Sequence, residues 1–135
     1  MYQLKFDFRH SYAVEREGIV LPITLRSGAK SAQLAANLDT GATFCLFRNE
    51  LATALGLELT DGIPKRFRTV NGNFEPFGHE IEIEVLGVRT YSTVYFFADI
   101  AINKNVLGRI GWMDRVRLGI VEHDSMVYLA PYDLG

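Results

Sequence analysis

Residues 37 to 47 read NLDTGATFCLF, a carboxylate set in a turn of small residues directly after an apolar run. Two chemistries fit that pattern. Asp39 can cap a backbone amide in an ordinary turn, the commonest use of Asp-Thr-Gly. Held at the end of a buried strand, it can instead take up and return protons as a general acid or base. A second stretch, Asn105-Val106-Leu107-Gly108-Arg109, repeats the theme of an apolar strand ending at a glycine.

Other candidate groups fall away on spacing. His10, His79 and His123 are scattered without the close pairing that metal ligands show, so no metal or other cofactor is expected. Cys45 is the single cysteine, which rules out an intrachain disulfide and a thiolate cluster within one chain. It sits in an apolar stretch with no histidine nearby to activate it, and reads as core packing. There is no glycine-rich phosphate loop. Glu80, Glu82 and Glu84 alternate with apolar residues and read as a solvated strand face.

The chain has 135 residues, enough for one domain over residues 1–135 and too few for two good cores. At 48% hydrophobic and 22% charged it should fold. A net charge of -2 provides no field for nucleic acid or an anionic membrane, and the pairs Arg66 with Arg68 and Arg115 with Arg117 are too sparse to change that. No apolar run nears the roughly 20 residues that cross a bilayer. The first residues alternate polar with apolar and lack a signal-peptide pattern, so a cytoplasmic protein is expected.

Several strands must position Asp39. Leu4, Phe6 and Phe8 alternate with polar residues and predict a first strand with one face buried. Ile19, Leu21, Ile23 and Leu25 predict a second, with Pro22 pushing it toward an edge and Ser27-Gly28 as its turn. Leu34, Ala36 and Leu38 run into Asp39, and Thr43 to Phe47 predict a buried strand beyond it. A short helix follows, with Asn49 as its cap, Leu51, Ala54 and Leu55 on one face, and Gly56 at its end. Residues 64–85 return to strand around an Asn71-Gly72 hairpin, with Ile81, Ile83 and Val85 facing inward. Further strands are expected at residues 88–100, before Gly108 and after Asp114, with a helical turn over 110–114. Trp112 is expected to cover the core there, and a last hairpin to turn near Asp124-Ser125.

The two motifs, LDTGA and NVLGR, in this order and setting, resemble the retropepsins, the single-lobe aspartic peptidases of retroviral type. The resemblance spans roughly residues 19–129. It implies a mostly β, closed acid-protease barrel with one short helix after the LDTGA strand and a helical turn after LGR. It also implies that Asp39 is the catalytic carboxylate, that Thr40 bonds across to the other subunit's loop, and that Gly41 makes the tight turn. Val106, Leu107, Gly108 and Arg109 would support the site. Ala42, Asn71, Gly72, Asn73 and Phe74 would meet substrate, the last four in a flap. Retropepsins commonly carry an acidic residue after this motif, paired with the later arginine. Thr43 stands there instead, leaving Arg109 to hold a backbone carbonyl or another carboxylate.

A single Asp-Thr-Gly is half of a two-carboxylate site, so activity would require a symmetric homodimer acting on an extended peptide. The terminal segments would either interleave between subunits or pack within one. The alternative is a silent dimer of the same fold that binds a peptide or protein partner. Ala42 carries a further expectation. A serine there could donate a hydrogen bond that favours the charged carboxylate, and alanine cannot. Activity should therefore lie nearer neutral pH than in enzymes with serine at that place, and a profile that stays flat below about pH 4 would refute this.

Overall fold

The computed structural model describes residues 1–14, 18–70 and 72–133. The alternation seen in the sequence becomes strand wherever a second strand covers it. Strands β1 (Phe8–Ser11), β2 (Ile19–Ser27), β3 (Lys30–Leu38) and β4 (Leu46–Phe47) precede helix α1 (Asn49–Ala54). Then come β5 (Ile63–Pro64), β6 (Phe67–Thr69), β7 (Gly72–Phe74), β8 (Phe77–Val85) and β9 (Val88–Phe96). The chain continues with β10 (Val106–Leu107), a 3-10 turn at Met113–Arg115, β11 (Val116–Val121) and β12 (Met126–Pro131).

Six strands close into a barrel in the order β2-β3-β10-β4-β9-β8, with β8 returning to β2 and β5 added beside β8. This is the closed, mostly β architecture expected. Its interior is the inward row of each long strand: Leu21 and Leu25 of β2, Ile81, Ile83 and Val85 of β8, and Val94 and Phe96 of β9 are all at 0% exposure. Each such side chain contributes about 1.5–3 kcal/mol of apolar burial, so the barrel is held by its interior. Trp112 is also fully buried. Pro22 lies just outside the Ile23–Arg26 stretch along which β2 pairs with β8, where a missing N–H does least harm. The Ser27-Gly28 turn forms as expected, with Gly28 at φ +58° joining β2 to β3.

Several local expectations are corrected. The first strand starts at Phe8, not Leu4, and it is poorly covered, with Leu4 69% and Phe8 41% exposed. It is the outer member of a separate sheet, β1-β12-β11, and has a hydrogen-bonded neighbour on one side only. The strand after Asp39 is regular only at Leu46–Phe47. The predicted stretch 64–85 is broken into β5, β6, β7 and β8. Arg48, not Asn49, occupies the helix N-cap, and Ala54 is exposed while Leu51, Ala52 and Leu55 are buried. Asn49 is diverted because its amide donates to the Phe97 and Ala98 carbonyls at 3.0 and 3.3 Å. Glu82 and Glu84 are half-buried beside Arg26, at 3.0 and 2.8 Å, so the predicted solvated face is partly an ion-pair network. Among the described residues, no helix is long and apolar enough to cross a membrane.

Candidate active site

Asp39 is placed by parallel pairing. β3 and β10 run side by side with Asn37 opposite Val106 and Leu38 opposite Leu107. The ladder carries on past β3, since the Asp39 N–H donates to the Leu107 carbonyl at 3.0 Å. Beyond that bond the chain turns sharply. The Gly41 N–H donates to Asp39 Oδ1 at 2.9 Å, and the Ala42 N–H donates to the Asp39 carbonyl at 3.1 Å. One carboxylate oxygen is thus fixed by the turn's own backbone. Asp39, Thr40 and Gly41 are exposed, while Ala42 is half-buried.

The second motif crosses directly beneath. The Arg109 N–H donates to the Ala42 carbonyl at 2.9 Å and the Ile110 N–H to the Thr43 carbonyl at 2.7 Å. Gly108 packs so closely on this crossing that an added Cβ would lie 2.2 Å from the Phe44 carbonyl oxygen. Its N–H donates to Cys45 Sγ at 3.3 Å. The echo between the two motifs therefore has a spatial meaning: the two glycine turns lock together through backbone bonds. Burial pushes the Cys45 thiol up to about 11. Native Cys45 should consequently react with iodoacetamide at pH 8 on the order of a hundredfold more slowly than the unfolded chain. Mass spectrometry of labelling with and without denaturant checks this, and equal rates would overturn it.

A cleft of about 810 Å³ opens beside the carboxylate. It is lined by Asp39, Ala42 and Leu46, by Gly72, Asn73 and Phe74, and by Phe97, Ile102 and Val106. The β6-β7 hairpin lines it, closed near its tip by Thr69 Oγ1 donating to the Gly72 carbonyl at 2.7 Å. Phe74 is both a wall of the cleft and an anchor, stacking on Phe67 with ring centres 5.3 Å apart and leaning on Phe97 at 5.6 Å. Phe67 in turn meets Phe44 edge-on at 5.6 Å, so the base of the hairpin is tied to the Asp39 side of the barrel.

Among the residues singled out from sequence, Asp39, Ala42, Gly72, Asn73, Phe74 and Val106 meet at this cleft. Thr40, Gly41, Leu107, Gly108 and Arg109 lie around the loop crossing without lining it, and Asn71 lies outside the described residues. The Arg109 side chain is exposed, and among the described residues it makes no hydrogen bond or ion pair with either a backbone carbonyl or a carboxylate. Sequence reading missed Arg48, whose guanidinium donates to Asn103 Oδ1 at 3.2 Å. It also missed the wall from Phe97 to Asn103. The only signal there was a polar run, Asn103-Lys104-Asn105, interrupting two apolar stretches.

A closed barrel that delivers an Asp-Thr-Gly turn to the mouth of a cleft lined by a hairpin has the layout of an acid-protease lobe. The family model for aspartyl proteases matches residues 23–109, a span that contains both motifs, and the chain belongs to that family. Comparison with curated proteins finds no match.

Proposed function

We propose that the chain is an aspartic endopeptidase that works as a homodimer, with the two Asp39 carboxylates facing each other across the symmetry axis. The observation that carries this reading is the placement of Asp39. Its backbone is pinned to Leu107 and one oxygen is held by Gly41, yet the residue stays exposed at the mouth of the cleft. A capping aspartate has no need of such a cleft. Two carboxylates brought that close cannot both ionise and share one proton, a behaviour established for aspartic proteases as a class. The ionised one takes a proton from water, the protonated one polarises the scissile carbonyl, and no acyl-enzyme forms.

In this reading Thr40 bonds across to the partner's loop, and the β6-β7 hairpin is the flap. An extended peptide lies between flap and floor, making main-chain hydrogen bonds while alternate side chains enter the cleft. The whole chain acts as one domain, without nucleic acid, membrane or cofactor. The buried, lone Cys45 suits the reducing cytoplasm. The test is cleavage of a diverse peptide mixture across roughly pH 4 to 7 at rising protein concentration. Specific activity should climb and then saturate as dimers fill. Activity independent of concentration, with the protein monomeric throughout, would refute the shared site.

A further inference from the structure

Asn105 does not line the cleft, although Asn103, Lys104 and Val106 on either side of it do. Its side chain is half-buried behind that wall and joins two other segments. Oδ1 accepts the Arg48 backbone N–H at 3.1 Å, and Nδ2 donates to the Ala35 carbonyl at 3.4 Å. The Asn105 carbonyl accepts the Asn37 N–H at 2.8 Å. The amide can sit only one way round, because a carbonyl faces its donor end and an N–H faces its acceptor end. Arg48 is the N-cap of α1 and has no side-chain cap of its own. Asn105 thus acts as a cap supplied from a distant part of the chain, answering an amide that the helix cannot. Arg48 returns the contact through its bond to Asn103, so wall and helix entry are clasped twice.

We propose that Asn105 is a positioning residue that sets the cleft wall against the strand carrying Asp39, and so governs how tightly a peptide binds. This deepens the peptidase reading and rests on it. The Asp39 carboxylate is held by the Gly41 N–H and the Asp39 backbone N–H by the Leu107 carbonyl, and neither bond uses the Asn105 side chain. Loosening the wall therefore weakens substrate binding and leaves proton transfer alone.

The experiment compares wild type, Asn105→Ala and Asn105→Asp. Aspartate keeps the acceptor for Arg48, but its second oxygen replaces Nδ2 and repels the Ala35 carbonyl, so one bond is kept and the longer one is opposed. Asn105→Ala should raise KM about tenfold with kcat within about threefold, the scale of one lost hydrogen bond with a partly buried amide left unmet. Its pH profile should match wild type, and Asn105→Asp should recover part of the loss. Hydrogen exchange at the Arg48 amide should quicken in Asn105→Ala and stay protected in Asn105→Asp, a readout that does not need turnover. An unchanged KM, a fall in kcat at constant KM, or an aspartate variant as impaired as the alanine one would each overturn the proposal. Should the alanine variant fail to fold, the aspartate variant's KM and amide protection decide. Binding of a peptide with a reduced scissile amide separates the two levels. A wild type that binds without cleaving refutes the peptidase and leaves the positioning role to be read from affinity, whereas one that does neither overturns both.

Discussion

On the proposed dimeric mechanism, replacing Asp39 by asparagine should abolish peptide cleavage and leave a dimer intact or tighter. Both halves of the chemistry disappear at once, because in a symmetric dimer the substitution removes the acid and the base together. Each function is worth about 10²–10⁴-fold, so a loss of at least about 10⁴-fold in kcat/KM is expected. Asparagine fills the same volume, and its side-chain oxygen can still accept the Gly41 N–H that Asp39 Oδ1 accepts at 2.9 Å. The turn should survive. The proposed facing pair would lose the repulsion that requires a shared proton, so sedimentation should show a dimer no weaker than wild type above neutral pH. Cleavage products are read by mass spectrometry at matched concentrations. Undiminished cleavage by Asp39→Asn would remove Asp39 from the mechanism, and a wild type that is dimeric yet inert would favour the silent binding module.

The long barrel strands were legible because a period of two survives wherever both neighbours are present, as for Ile81, Ile83 and Val85 in β8. The same period misled at Leu4 to Phe8, since alternation does not reveal whether another sheet will cover the apolar row. Asn49 looked like a helix cap for sound local reasons, but the Phe97 and Ala98 carbonyls outbid its own helix. Asn105 shows the converse: a residue with no local signal caps a helix far away in sequence. The Asp-Thr-Gly turn could be named from LDTGA, yet its contact with NVLGR came from resemblance and not from periodicity. The cleft wall between β9 and β10 is irregular backbone, and irregular backbone has no hydrophobic repeat to read. What the missing acid at Thr43 implied was only half visible. Among the described residues the Arg109 side chain has no partner, and the loop crossing is tied by the backbone N–H groups of Arg109 and Ile110 instead.

Adding one methyl group at Gly108 should damage the protein as a structure before it touches the proposed chemistry. The two glycine turns cross at backbone distance, and a Cβ on Gly108 would meet the Phe44 carbonyl oxygen at 2.2 Å, its carbonyl carbon at 2.6 Å and the Ala42 oxygen at 3.0 Å. These atoms belong to main chain that is itself hydrogen-bonded to Arg109 and Ile110, so nothing at the far end of a flexible side chain can swing away. Overpacking of a fixed site costs about 1–3 kcal/mol and sometimes more, and Gly108→Ala should fall at or beyond the top of that range. For a domain of this size that is a drop of about 10 °C in Tm. Gly119→Ala is the control. Its Cβ would approach the tip of the Phe6 ring at 2.9 Å, but that tip is the far end of a flexible side chain that can swing aside, so Tm should move by no more than about 2 °C. Activity should separate the pair further. Pushing Gly108 away from Phe44 pulls on Leu107, whose carbonyl holds the Asp39 N–H, so Gly108→Ala should lose kcat even at temperatures where it remains folded. A Gly108→Ala protein with wild-type Tm and kcat would mean that the crossing is slack, and that the placement of Asp39 depends on something other than the backbone lock between the two motifs.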